Sequence, residues 1–152
     1  MGKISKFNGQ YRFLSNFSAD PVTYQGINYP TSEHAYQAQK VDNLILKREI
    51  ASMKTPFETK QYGATFKPKD WYKRSLGIMY EIVKWKFIQN PDIRKKLLET
   101  GDLELIEGNH WKDTFWGKDD KTWEGENWLG KILMQVRDEL KNGEEGMGIV
   151  QT

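Results

Sequence analysis

The stretch Trp71–Gln89 constrains the fold more than any other part of the chain. Apolar side chains recur on nearly every face of a helix drawn over it: Trp71, Leu76, Ile78, Met79, Ile82, Val83, Trp85, Phe87 and Ile88. A helix that is apolar all round is buried inside a protein, because each of its faces needs a partner. The stretch therefore predicts a central, largely buried helix around which the other elements pack.

Shorter elements surround this helix in the sequence. Residues 22–24 and 27–29 flank Gln25-Gly26, which predicts a tight turn between two short strands. Leu103 to Ile106 predicts another short strand, and residues 107–126 read as a loop. Start and stop signals predict further helices over residues 33–41, 44–53, 91–100 and 127–141, and a short one opened by a capping box at Thr55. We expect a mainly α fold of the α+β class.

The amino-acid composition argues against several classes of protein. The 152-residue chain has no cysteine, which excludes disulfides and thiol nucleophiles, and its two histidines have no metal-ligand spacing. A formal charge of +2 gives no reason to expect a nucleic-acid partner, and no apolar run reaches membrane length. We expect one domain over residues 1–142, a flexible tail over 143–152, no cofactor or metal, and a cytoplasmic location.

Residues 29–40 (YPTSEHAYQAQK) form the first candidate site. On a helix, Glu33, Tyr36, Gln37 and Lys40 share one face. In the first turn Glu33 lies at the positive end of the helix dipole, which favours its ionised form. Glu33 is thus suited to act as a base, a nucleophile or a stabiliser of positive charge. From this pattern alone, a solvated face with a helix-stabilising Glu is the favoured interpretation.

Three loop segments are weaker candidates. Asp113 lies among aromatic residues in 109–117, so a functional carboxylate in a pocket wall and a simple turn cap are about equally supported. Ser15 and Asn16 lie between aromatic residues, where they could bind a sugar or only form a turn. Asn127 is a good helix N-cap, and the helix start behind it could hold a phosphate, although capping alone is the more economical interpretation.

Two carboxylates and many aromatic residues together suggest chemistry on a glycosidic bond. Cleavage of such a bond passes through an oxocarbenium-like state that carboxylates stabilise. The residues alone support no more specific statement than this.

Four motifs, taken in order, resemble those of the YbiA-like (NADAR) family: residues 11–17 (YRFLSNF), 29–40, 113–117 (DTFWG) and 127–134 (NWLGKILM). The resemblance extends from about Phe7 to Leu140. It implies a compact α+β fold and N-glycosidase activity, a hydrolysis of N-glycosyl bonds. The implied substrates are small molecules: amino-pyrimidine ribotides of riboflavin synthesis, or ADP-ribose attached to a nucleobase such as guanine. Nucleic acid is implied only as an ADP-ribosylated substrate, and a membrane partner is not implied.

The resemblance also implies roles for individual residues. Glu33 and Asp113 would be catalytic, with Asp113 as the second acid/base group. Lys40 would be either a charge partner of Glu33 or an amine that forms a Schiff base with the ring-opened ribose. The substrate would be bound by Arg12, Ser15, Asn16, Phe17, His34, Gln37, Trp71, Trp116, Gly117 and Asn127.

Two positions depart from the family pattern and bear on the choice of substrate. Ala64 stands where the family often has Arg, and residues 123–127 (WEGEN) replace a frequent Gly-x-Gly-x-Asn run. The principal alternative function is a module that binds ADP-ribose or a nucleotide without cleaving it. A nucleic-acid-binding protein is a weaker alternative, because basic and acidic residues are interspersed.

Overall fold

A computed structural model describes residues 2–146 of the chain. Helices dominate it and every strand is short, which confirms the mainly α, α+β class. The elements in chain order are β1 (Lys3–Ile4), a 3-10 helix (Gly9–Leu14), β2 (Val22–Tyr24), β3 (Ile27–Tyr29), α1 (Ser32–Ala38), α2 (Leu44–Ala51), α3 (Pro56–Gly63), α4 (Trp71–Gln89), α5 (Pro91–Glu99), β4 (Glu104–Leu105), β5 (Gly108–Asn109), β6 (Lys118–Asp119) and α6 (Trp128–Gly146).

The chain divides into two units, of which the second is Ser15–Pro91. In this second unit β2 and β3 form the predicted antiparallel hairpin, with Val22 opposite Tyr29. Gln25 and Gly26 both have positive φ, the backbone of the tight turn that the sequence indicated. The hairpin packs on α4, and α1 packs against α2, α3 and α4. Helix α1 is thus enclosed by three other helices.

The first unit comprises Met1–Leu14 and Asp92–Thr152. Here β1 pairs with β4 in parallel, with Ile4 opposite Leu105, and β5 pairs in parallel with β6. Helix α6 packs on β4 and buries Leu129, Leu133 and Val136. The sequence did not indicate β1, β5, β6 or the 3-10 helix, because elements of this length depend on partners distant in the chain.

Three expectations about the helices need correction. Helix α4 has the predicted bounds but is not buried all round, since Tyr72 and Trp85 are 66% and 47% exposed. Helix α1 ends at Ala38, three residues before the predicted end. Helix α6 continues to Gly146, so the predicted tail over 143–152 is helical in its first four residues, and its last six lie outside the described residues.

Candidate active site

Glu33 lies in the first turn of α1 and is only 7% exposed. Its Oε2 accepts a 2.7 Å hydrogen bond from Gln37 Nε2, one helical turn later. Its backbone N–H donates to the carbonyl of Asn16 over 3.0 Å. The helical pattern therefore grouped Glu33 with Gln37 correctly, but the solvated face that it favoured is wrong. This face is buried, and a hydrogen bond to a charged group is stronger there than in water.

Lys40 follows the end of α1 and stays close to Glu33 through a turn in which its N–H donates to Gln37 O over 3.1 Å. Its Nζ donates to Gly63 O over 3.3 Å and lies 5.8 Å from the centroid of the Trp71 ring. Burial lowers the pKa of Lys40, while the charge of Glu33 opposes this shift and that of Lys67 adds to it. A lowered pKa increases the fraction of neutral amine, the form in which lysine is a nucleophile.

Tyr36 and Trp71 form an aromatic wall beside Lys40. Trp71 Nε1 donates to the Tyr36 hydroxyl over 3.1 Å, and the two ring centroids lie 5.3 Å apart. Tyr36 shares the helix face of Glu33 but was not predicted as a site residue. Its spacing of three residues from Glu33 was the signal that could have identified it.

The loop Ser15–Phe17 meets the start of α1. Asn16 Oδ1 accepts from Ser32 Oγ over 3.1 Å, and Asn16 Nδ2 faces Met79 Sδ at 3.4 Å. Ser15 Oγ accepts from the N–H of Phe17, which closes a tight turn. The side chain of Asn16 is therefore engaged with α1 and α4, and the loop supports the first turn of the helix that carries Glu33.

His34 holds α1 in place from within the protein. It is fully buried, and its Nε2 donates to the carbonyl of Met53 over 2.9 Å. Thr31, the N-cap of α1, accepts from the His34 N–H at 3.1 Å and lies 2.7 Å from its Nδ1. Burial lowers the pKa of His34, so the ring is neutral and Thr31 donates to Nδ1. Both ring nitrogens thus bind protein atoms, and His34 is placed as a support for α1.

Lys86 is a buried residue near this site that sequence reasoning missed. It is 1% exposed, and its Nζ donates to Ser15 O over 3.0 Å. Burial lowers its pKa to about 7, and the charge of Asp20 opposes the shift. Lys86 lies three and seven residues after Val83 and Met79, on the buried face of α4. This periodicity was the available signal.

In the first unit, Asp113 caps a turn. Its Oδ1 accepts from the N–H groups of Phe115 and Trp116 over 3.1 and 2.9 Å. Asn109 brackets the same turn, because its amide binds both the N–H and the carbonyl of Asp113. The rings of Phe115 and Trp116 pack edge to face, with centroids 4.8 Å apart. The turn-cap interpretation is therefore realised, and it orients the Trp116 ring.

Asn127 differs from its predicted role as an N-cap. Its Oδ1 accepts from the Glu107 N–H over 2.9 Å and its Nδ2 donates to Leu105 O over 3.0 Å, so the side chain does not cap α6. The first N–H groups of α6, those of Trp128 and Leu129, donate to loop carbonyls. They are therefore not available to bind a phosphate at this helix start.

Gly117 and Arg12 complete the predicted set in the first unit. Gly117 is buried, and a Cβ there would lie 2.0 Å from the Glu107 carbonyl oxygen, so only glycine fits. Arg12 lies in the 3-10 helix and is exposed. The structure thus places Ser15, Asn16, Phe17, His34, Gln37, Lys40 and Trp71 in the second unit together with Glu33, and the other predicted residues in the first unit.

The part of the chain that the structure describes contains neither a cluster of metal ligands nor a membrane-spanning helix, and it has an open cleft away from the predicted site residues. Within residues 2–143, no group of three His, Asp or Glu side chains could hold a metal ion. No helix in the same range is both long and apolar enough to cross a bilayer. An open cleft of about 420 Å³ lies between the hairpin and α4, and none of the predicted site residues line it.

Comparison with known proteins agrees with this fold. The solution NMR structure of Escherichia coli YbiA has a TM-score of 0.82 and 30% sequence identity, over 98% of this chain and 88% of that chain. The curated N-glycosidase YbiA of Escherichia coli is 35% identical over 133 residues, covering 86% of this chain and 82% of that protein. An N-glycosidase of Nostoc punctiforme is 40% identical over 139 residues, covering 87% of each chain.

A larger relative is also similar. A riboflavin biosynthesis protein of Vibrio vulnificus is 41% identical over 132 residues, and the chain spans only 35% of its length.

The fold and the relatives together define an enzyme that hydrolyses N-glycosyl bonds, as predicted. The model of the NADAR domain family matches residues 4–141, and the chain belongs to this family.

Proposed function

We propose that the enzyme cleaves the bond between the ribose of a ribose phosphate or ADP-ribose unit and a base or amine. The proposed substrates are amino-pyrimidine ribotides of the riboflavin pathway and ADP-ribosylated guanine. The observation that carries the proposal is a pair of groups in the second unit: the buried Glu33 carboxylate, bound by Gln37, and the half-buried Lys40 amine, whose pKa is lowered. The names of relatives from Vibrio vulnificus and maize, both riboflavin biosynthesis proteins, favour the first substrate class.

Glu33 would stabilise the positive charge that develops at C1 of the ribose as the bond to the base breaks. A unit negative charge about 4 Å from this centre contributes roughly 4 kcal/mol at an effective dielectric constant near 20. An energy of that size corresponds to about a thousandfold in rate. Replacement of Glu33 by glutamine removes the charge and preserves the size of the side chain.

Lys40 would act either as the charge partner of Glu33 or as a nucleophile. In the second case the ribose ring opens to an imine that carries the leaving amine at C1. The neutral Lys40 amine adds to C1, and the leaving amine is then expelled. This exchange leaves a Schiff base between Lys40 Nζ and C1 of the sugar. Water then hydrolyses the Schiff base to the free sugar and restores the lysine.

The remaining residues would bind and orient the substrate. Asp113 is proposed as the proton donor to the leaving base, through the carboxyl oxygen that does not cap its turn. Trp71 and Trp116 would stack on the base, while Asn16, Ser15 and Gln37 would contact the ribose. Arg12, Phe17, His34, Gly117 and Asn127 complete the proposed site. The observed contacts of His34, Gly117 and Asn127 favour a role in holding neighbouring segments of the same chain over direct contact with the substrate.

Product analysis by mass spectrometry tests the proposal, with amino-pyrimidine ribotides and ADP-ribosylated guanine offered in parallel. The wild type should release free base and sugar, and Glu33→Gln should lose at least a hundredfold in turnover while remaining folded. Glu49→Gln, an exposed change on α2, is the matched control. Full turnover by Glu33→Gln would refute this mechanism, and tight binding without any product would favour the non-catalytic module.

Borohydride trapping distinguishes the two roles of Lys40. A Schiff base is reduced to a stable adduct that adds the mass of the sugar to the wild type but not to Lys40→Ala. Lys54→Ala, an exposed lysine in the same unit, should still trap. Absence of an adduct during active turnover would leave Lys40 as a charge partner only.

A further inference from the structure

Gly63, the last residue of α3, is buried against the face of α1 that carries Glu33. A Cβ atom at this position would lie 1.9 Å from Gln37 Oε1 and 2.7 Å from Gln37 Cδ. Gln37 is itself 4% exposed, and its Nε2 is bound to Glu33. A side chain at position 63 therefore cannot be accommodated unless the Gln37 amide moves away from the Glu33 carboxylate.

The bond to Glu33 fixes the orientation of the Gln37 amide. Among the described residues, Gln37 Oε1 is buried and has no hydrogen-bond partner. Such an unpaired acceptor is unfavourable, and it is tolerated here because Nε2 makes a charge-assisted bond to Glu33 Oε2. Gln37 thus leaves its Oε1 unpaired while its Nε2 binds the Glu33 carboxylate. The space for this arrangement exists because Gly63 has no side chain.

The same glycine also contacts Lys40. The Gly63 carbonyl, at the end of α3, accepts from Lys40 Nζ over 3.3 Å and from the Phe66 N–H over 3.1 Å. One residue therefore adjoins both members of the proposed pair. It reaches Glu33 through Gln37, and it reaches Lys40 through its own carbonyl.

The geometry of α3 alone gives no reason for glycine at position 63. Its φ is not among the positive φ values of the chain, so no left-handed backbone is required. Alanine is a better helix former than glycine in an ordinary helical position. The close approach to Gln37 is the feature that requires glycine.

We infer that Gly63 is a positioning residue for the reaction. Because Gly63 has no side chain, the Gln37 amide can remain bound to the Glu33 carboxylate, and the Gly63 carbonyl holds the Lys40 amine in place. This inference rests on the proposed roles of Glu33 and Lys40. A displacement of about 1 Å at a reacting group can cost roughly a hundredfold in rate. Gly63→Ala should therefore lower kcat by roughly that factor with little change in KM.

A double-mutant cycle with Gln37 tests the physical cause. Gln37→Ala removes the amide that the new methyl group would strike, so adding Gly63→Ala to Gln37→Ala should change kcat by less than about twofold. Gly77→Ala is the matched control, because Gly77 is an exposed glycine in α4 of the same unit, and a methyl group added there would meet nothing within 4 Å. This variant should keep wild-type kcat, and its melting temperature should not fall, because alanine is the better helix former at this exposed position.

The outcomes separate this inference from the proposed function. If Glu33→Gln is inactive but folded Gly63→Ala keeps wild-type kcat, the role of Gly63 is refuted and the proposed function stands. If Glu33→Gln is fully active, the proposed function fails whatever Gly63→Ala does. If Gly63→Ala does not fold, recovery of folding in the double variant supports the contact with Gln37, and failure to recover refutes it. Equal loss of kcat in both backgrounds also refutes it.

Discussion

Replacement of Lys86 by methionine isolates the effect of one buried amine on the pH dependence of stability. Burial lowers the pKa of Lys86 from 10.5 to about 7 in the folded protein. Between these two values the unfolded chain binds a proton that the folded protein does not. The free energy of unfolding therefore increases as the pH rises through this window. The contribution of Lys86 to this free energy is smallest below pH 7.

The two pKa values set the size of the effect. The free energy of unfolding should rise by up to about 1.4 kcal/mol per pH unit inside the window. Integration from pH 6 to pH 9 gives roughly 3 kcal/mol from this single group. Methionine has a similar length and no charge, so Lys86→Met should remove this increment. It also loses the bond to Ser15 O, which costs about 1 kcal/mol at every pH.

Urea denaturation of the wild type and the variant at pH 6, 7, 8 and 9 measures the difference. Other residues with shifted pKa values, such as Lys40 and His34, occur in both proteins and cancel in the comparison. Lys73→Met, an exposed change on the same helix, is the control and should leave the pH dependence unaltered. The free energy of unfolding should differ between the wild type and Lys86→Met by an amount that changes with pH. If this difference stays constant within about 0.5 kcal/mol from pH 6 to pH 9, the amine is not buried in its neutral form.

Three further changes have defined outcomes. Thr31→Ala removes the N-cap of α1 and should lower the free energy of unfolding by about 1–2 kcal/mol in urea titrations, whereas Thr31→Ser should retain it; equal losses in both variants would contradict the cap. Asn127→Ala leaves the Glu107 N–H and the Leu105 carbonyl unpaired and should cost roughly 3 kcal/mol, so a loss below about 0.5 kcal/mol would show that these bonds are unimportant. Burial and the bond to Glu81 raise the pKa of Tyr24, so the folded protein keeps this proton above pH 10 while the unfolded chain loses it. Stability should fall there, and Tyr24→Phe should reduce the fall in melting curves between pH 9 and pH 11; identical curves would contradict it.

Local signals accounted for the parts of the fold that were predicted well. The Gln25-Gly26 turn, the capping box at Thr55 and the bounds of α4 all depend on residues close in the chain. The two-residue strands depend instead on distant partners, as when Lys3 pairs with Glu104. No local pattern specifies such a pairing.

The site shows the same division between local and distant information. Helical periodicity placed Glu33, Gln37 and Lys40 together, since that relation is internal to one short segment. It could not show that three other helices enclose the segment, and so it favoured a solvated face. Asn127 illustrates the converse case, because its side chain binds distant backbone groups instead of the adjacent helix start.

The complete burial of α1 has a consequence for engineering this enzyme toward new substrates. All seven residues of the helix are buried, so a random library over Ser32–Ala38 would yield mostly insoluble variants whatever their effect on selectivity. Diversity is better introduced at Phe17 and Trp71, which are only partly buried and belong to other elements. The helix that carries Glu33 should be kept constant as a scaffold, and selectivity should be sought in the residues around it.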